Sequence, residues 1–112
     1  MVYCCTYNEQ DSTVSLRELI YIGQAINIHD RICNHDRLKD FKKQLREGEQ
    51  LCYAYASVAP NELDVVENGL VFMQKPVLND DLKEHFSHPD SSFSIEGRCA
   101  LLKMTNFTMT NS

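Results

Sequence analysis

The stretch SLRELIYIGQAINIHDRIC, residues 15–33, decides the predicted fold because its apolar residues set the first helix. Ser15 and Glu18 match a capping box, in which the two side chains satisfy free amides at a helix start. At about 100° per residue, the apolar side chains that follow fall on one broad stripe. These side chains are Leu19, Tyr21, Ile22, Ala25, Ile26 and Ile32. The pattern predicts a helix over about 15–33.

The apolar phase changes beyond Cys33, where Leu38, Phe41 and Leu45 form a second stripe rotated away from the first. One straight helix would not bury both stripes against one surface, so we expect a break near 34–36. Asn34 or Asp36 would cap a second helix over about 36–47, and Gly48 would end it.

The rest of the chain has mostly strand-like patterns. Residues 1–7 and 51–58 alternate as strands, and Asn68-Gly69 predicts a hairpin turn within ELDVVENGLVFMQ. Asn79 would cap a short helix near 80–87, and 93–109 would hold one or two strands with Gly97 at a bend. The predicted fold is therefore α+β. Two N-terminal helices pack on an antiparallel sheet of four to six strands, in a single domain over 1–112.

The composition is that of a globular protein, with 43% hydrophobic and 24% charged residues. No apolar run approaches the roughly 20 residues that cross a bilayer, and the N-terminus lacks the pattern of a signal peptide. We therefore predict a soluble intracellular protein, cytoplasmic or nuclear, with reduced thiols. Its five cysteines are Cys4, Cys5, Cys33, Cys52 and Cys99.

The charge is distributed unevenly along the chain. Residues 31–46 carry six basic and two acidic residues, a net of +4, whereas the remainder carries five basic and 14 acidic residues, a net of −9. Most of the basic side chains would project from the second helix, opposite its apolar stripe. This face is the predicted partner-contact surface, formed by Arg37, Lys39, Lys42, Lys43 and Arg46.

HDRICNHD, residues 29–36, is the densest cluster of metal-ligating residue types. On a helix His29 and Cys33 share one face, as two zinc ligands would, but that face is the buried stripe, and His35 points elsewhere. A structural role is favoured over a metal site. His85 and His88 lie three residues apart near a predicted helix end, and no further ligand follows at a zinc-finger spacing.

No phosphate-binding glycine loop, zinc-protease motif or nucleophile elbow occurs in the sequence. Binding is therefore favoured over catalysis, with no cofactor and no membrane contact. The first hypothesis is a small regulatory domain that binds another protein through the helix at 37–46. Such a domain could also form a homodimer through a sheet edge. The alternatives are nucleic-acid binding through the same helix, and a thiol- or zinc-dependent enzyme using Cys33 with His29 or His35.

Overall fold

A three-stranded antiparallel sheet organises the N-terminal half of the chain. A computed structural model describes residues 1–25, 27, 36–95 and 106–109. In it, strand β1 (Val2–Asn8) lies between β2 (Thr13–Tyr21) and β3 (Gln50–Tyr53). Strand β1 pairs with β2 over its whole length and with β3 through Val2–Cys5. The predicted strands at 1–7 and at the start of 51–58 are thus confirmed, and residues 54–59 continue without regular structure.

The helix predicted over 15–33 is wrong at its N-terminal end, because Thr13–Tyr21 forms β2. Ser15 and Glu18, the expected capping box, are both paired with β1 in this strand, and the Glu18 carboxylate forms an ion pair with Arg17. Thr13, Val14 and Ile20 are β-branched residues, which fit a strand well once a partner strand is present. Tertiary pairing with β1 therefore prevails over the helical pattern. The expected break at 34–36 lies largely outside the described residues, as do Asn34 and Gly97.

Only part of the second predicted helix, over about 36–47, is present: Arg37 and not Asp36 lies at its N-cap, and the helix ends at Lys43, well before Gly48. Helix α1 (Leu38–Lys43) packs on one face of the central sheet through Phe41, which is fully buried. The predicted stripe of Leu38, Phe41 and Leu45 contacts the first core cluster, as expected. This cluster contains Val2, Cys4, Ile20 and Phe41, with Leu38, Leu45, Leu51, Leu78 and Tyr21 packed against it.

An ion pair between Arg17 and Glu49 joins β2 to the segment between α1 and β3. The Arg17 guanidinium donates to both carboxylate oxygens of Glu49, at 2.7 and 2.9 Å, and also to the Gln44 carbonyl at 2.9 Å. The hydrogen bonds from Arg17 hold the pKa of Glu49 below its ordinary value. This contact fixes the chain between the helix and the sheet edge.

The hairpin predicted around Asn68-Gly69 is wrong, because both residues lie inside helix α2 (Leu63–Gln74). A short 3₁₀ turn, Pro60–Glu62, leads into α2, which ends at Lys75 in the left-handed conformation. The apolar residues recur at helical spacing, and this periodicity outweighs the local turn signal. They are Leu63, Val66, Leu70 and Met73.

The C-terminal half has its own core cluster beneath α2. Strands β4 (Ser91–Ser94) and β5 (Asn106–Met109) pair antiparallel, which confirms strands within 93–109. Among the described residues the strands therefore form sheets of three and two, not one sheet of four to six. The single domain stays a prediction. The second cluster is made by Phe86, Phe93, Phe107 and Met109, with residues of α2 packed on it.

The short helix predicted near 80–87 is also wrong, since residues 81–84 are bends. The buried Asn68 side chain organises this loop. Its amide nitrogen donates to the carbonyls of Leu82 and His85, and its amide oxygen accepts from the Ser87 amide. These bonds supply partners that a helix would otherwise have provided.

The prediction of reduced cysteines is not supported. Cys5 of β1 and Cys52 of β3 form a disulfide across two neighbouring strands, with their Cα atoms 6.2 Å apart. Cys4 is a free, buried thiol. The pairing depends on the register of β1 with β3, which sequence spacing does not contain.

We predict that Gly69→Ala destabilises the fold by about 1–3 kcal/mol, as overpacking does. A Cβ at this position would lie 2.3 Å from Cζ of Phe93, whose ring is stacked on Phe107 at 4.8 Å. The gain of about 1 kcal/mol in helix propensity is too small to offset this clash. Urea unfolding measures the change. Adding Phe93→Leu should recover part of the loss, and strictly additive effects would contradict the clash.

Candidate functional site

A cleft of about 160 Å³ lies where the central sheet meets α2. One wall is the end of β2 and the turn after it, a second is the chain that follows β3, and α2 forms the third. Three tyrosines and one carboxylate give the cleft its chemistry. Its lining includes Met1, Tyr21, Gly23, Gln24, Tyr53, Ala54, Tyr55, Val58, Val66 and Glu67.

Tyr21 connects the cleft to the basic helix. Its ring packs against Phe41 of α1 at 5.1 Å, and the Arg37 guanidinium carbon lies 5.5 Å from the ring centre. Gly23 also makes room for this ring, because a Cβ there would lie 2.8 Å from Cε1 of Tyr21. Tyr21 is thus a lining residue held from the side by the basic segment.

Tyr53 and Tyr55 are exposed, with 36% and 73% of their surface accessible to solvent. Partial burial raises the pKa of the Tyr53 hydroxyl above its ordinary value. Large aromatic side chains exposed beside a cleft are typical of a contact surface for a flat or apolar group.

Glu67 is the half-buried carboxylate of the cleft. Burial raises its pKa, the nearby Asp64 carboxylate raises it further, and hydrogen bonds from Gln24 oppose both effects. The Gln24 side-chain amide also donates to Asp64 at 2.8 Å. Gln24 therefore joins the turn after β2 to the two acidic groups of α2.

Asn79 fixes the backbone of the cleft wall after β2. Its side chain accepts from the Ile22 amide at 2.9 Å and donates to the Ile22 carbonyl at 2.7 Å, both in a buried position. The neighbouring Leu78 amide donates to the Ile20 carbonyl. The segment after α2 thereby extends the ladder of β2, and Asn79 is not the helix cap that the sequence predicted.

The predicted partner-contact residues lie on α1 and just beside it. Lys39, Lys42, Lys43 and Arg46 are exposed, and the first three form no ion pair with any residue that the structure describes. Arg37 is different: it is half-buried, pairs with Asp40 and Asp80, and donates to the Leu78 carbonyl. Arg37 therefore also has a structural role.

The predicted metal-ligand candidates do not form a cluster within the described part of the chain. His85 is exposed, and the His88 ring lies 5.6 Å from the Phe86 ring centre. Over 1–25, 27, 36–95 and 106–109, no three ligand-type residues come together. His29, Cys33 and His35 lie outside these residues, so the thiol- or zinc-dependent alternative stays a prediction.

The sequence pattern does not predict the cleft. It places Tyr21 on a helical stripe, Tyr53 and Tyr55 in one strand, and Glu67 in a hairpin. The alternating tyrosines were the available signal, but no sequence spacing connects them to residue 67.

Among the described residues no helix is long and apolar enough to cross a membrane.

Known proteins add no further guide to function. No family model, curated protein or solved structure matches this chain. The function is therefore argued from the cleft and the basic helix themselves.

We predict that Asn79→Ala lowers the free energy of unfolding by about 2 kcal/mol, because it leaves two buried backbone groups of Ile22 without partners. Asn61→Ala is the matched control, since Asn61 is exposed in the 3₁₀ turn. Chemical denaturation measures both variants. Equal stability of the two variants would show that the contact with Ile22 is dispensable.

Glu67 should make stability depend on pH. Its folded-state pKa is raised, so ionising it costs stability as the pH rises from the ordinary carboxyl pKa through the raised value. We expect Glu67→Gln to have little effect in acid and to stabilise the protein at neutral pH. Thermal unfolding of both proteins across this range tests the sign. A constant difference between them at all pH values would refute it.

Proposed function

We propose that this protein binds nucleic acid, with the basic face of α1 contacting phosphates and the tyrosine cleft receiving bases. The observation that carries the proposal is the contact of Arg37 with Tyr21, which brings the basic helix and the aromatic cleft together at one side chain. The sequence alone ranks nucleic acid below a protein partner, because the acidic remainder of the chain would repel phosphate.

The lysines of α1 support phosphate binding. Lys39, Lys42 and Lys43 are exposed, and no acidic group among the described residues neutralises them. Cations of this kind release counterions from a nucleic-acid backbone, which gives affinity without sequence selectivity. The short helix limits such contact to a few phosphates.

The exposed tyrosines support stacking. Base–aromatic stacking contributes about 1–3 kcal/mol per base and tolerates any base, because every base has a π-face. Bases are available for such stacking in single strands and loops, where they are not already stacked in a duplex. Tyr53 and Tyr55 are exposed beside the cleft, which suits a single-stranded ligand.

The acidic body of the protein opposes this function. Asp64 and Glu67 face the cleft side of α2, and both accept hydrogen bonds from Gln24. We therefore expect modest affinity that depends on local contacts, in contrast to proteins with an overall positive charge.

Charge reversal on α1 tests the phosphate contact. We expect Lys42→Glu to weaken binding of a fluorescent single-stranded oligonucleotide about tenfold at low salt, and to reduce the slope of log affinity against log salt by about 1. Lys83→Glu is the matched control, because it makes the same change of charge outside α1. Anisotropy titration measures both variants, and equal losses would rule out the proposed face.

Two single tyrosine variants, one at the cleft and one away from it, test the stacking contact. Tyr55→Ala should lower affinity for the same oligonucleotide about tenfold. Tyr7→Ala should leave it unchanged, because Tyr7 is similarly exposed at the opposite end of β1 from the cleft. Absence of any binding by the wild-type protein at low salt would end the proposal as a whole.

A protein partner with an acidic surface is the second candidate, as the sequence first suggested. The lysines of α1, which have no ion-pair partner among the described residues, favour it on an otherwise acidic chain, since such a pattern steers association with an oppositely charged surface. The protein could also self-associate through β2. This strand lies at an edge of the central sheet and pairs with β1 alone among the described strands, so its other edge could pair with a second copy. Sedimentation velocity at several concentrations tests the homodimer.

A further inference from the structure

We propose that Cys5 and Cys52 form a reversible thiol–disulfide site whose state controls the order of one wall of the cleft. The reagent class is a small or protein dithiol that exchanges with disulfides. The inference goes beyond nucleic-acid binding and does not depend on it, because its readouts concern the bond and the backbone around it.

The disulfide secures the weakest strand of the central sheet. Strand β3 has four residues, lies at a sheet edge and, among the described strands, pairs with Val2–Cys5 of β1 alone. A strand this short at an edge has few hydrogen bonds and a low cost of local opening. The covalent link across 47 residues of chain keeps β3 beside β1 when those hydrogen bonds break.

The cleft wall is a direct continuation of this strand. After Tyr53, two backbone hydrogen bonds hold Ala54 to Met1, one in each direction, at 2.8 and 3.0 Å. Residues 54–59 then follow without regular structure, and Tyr55 and Val58 of this segment line the cleft. Opening β3 therefore releases Tyr53, its last residue, together with the segment that carries Tyr55.

The exchange takes place at Cys52, because Cys5 is fully buried whereas Cys52 is half-buried. A thiolate of the external dithiol attacks Cys52 Sγ, forming a mixed disulfide, and Cys5 Sγ leaves as a thiolate and takes up a proton. The second thiol of the reagent then attacks the mixed disulfide. Cys52 is released as a thiol, and the reagent leaves as its own disulfide.

Cys4 does not substitute for the external reagent. Although adjacent to Cys5, it belongs to the first core cluster, and its Sγ lies 3.7 Å from the Gln44 carbonyl. Burial raises the pKa of the Cys4 thiol, which reduces its thiolate fraction. The bond is therefore opened from outside and not by this neighbour.

The test is hydrogen–deuterium exchange of the full chain in oxidised and reduced glutathione buffers, each containing a catalytic dithiol reductase. Samples are trapped with N-ethylmaleimide, and peptide mapping reports the Cys5–Cys52 bond. On reduction we expect the bond to disappear and exchange over 50–58 to accelerate about tenfold or more. Exchange over 13–21 should change little. The thermal midpoint should fall by about 10–20 °C.

Two variants separate this site from the neighbouring Cys4. Cys5→Ala/Cys52→Ala should show fast exchange over 50–58 in both buffers, whereas Cys4→Ala should respond like the wild type. If the double variant fails to fold, the wild-type comparison decides. Absence of the bond in oxidised buffer, or its loss with unchanged exchange over 50–58, would overturn the proposal. Oligonucleotide binding takes no part in either outcome.

Discussion

The antiparallel pairing of β1 with β2 is the interaction on which the rest of the structure depends. Seven residues of β1 find partners in β2, and the other edge of β1 is then free to pair with β3. One sheet face receives Phe41 of α1. Because β1 is the central strand, each described feature of the N-terminal half, including the disulfide and the cleft, is positioned relative to it.

The sequence was informative where burial alone decides structure. The stripe of Leu38, Phe41 and Leu45 predicts α1 because a short amphipathic helix needs only a surface to cover. It was misleading where a distant partner decides. Thr13–Tyr21 is a strand because β1 is beside it. At Asn68-Gly69 a two-residue turn signal competes with the helical spacing of the surrounding apolar residues, and hydrogen bonds between Asn68 and a loop 14–19 residues away further support the helix.

The candidate site also has one part that the sequence predicts and one part that it does not. The exposed lysines of α1 follow from its helical phase, and the structure places them on the surface as expected. The cleft combines the end of β2, the chain after β3 and the middle of α2, which are separated by about 30 and 14 residues in sequence. No local pattern could have joined Tyr21 to Glu67, because their proximity is a product of sheet order and of Gln24 reaching across.

Near this cleft, two asparagine side chains make hydrogen bonds to backbone groups that have no partner in a helix or strand. Asn79 gives Ile22 both an acceptor and a donor, so the ladder of β2 continues past its last residue. Asn68 does the same for the loop beneath α2. Within the part of the chain that the structure describes, no asparagine side chain bonds the wall after β3, which is held by the hydrogen bonds between Ala54 and Met1 and by the neighbouring disulfide. It is therefore the wall with the least local support, and a ligand or a reductant would alter its shape most easily.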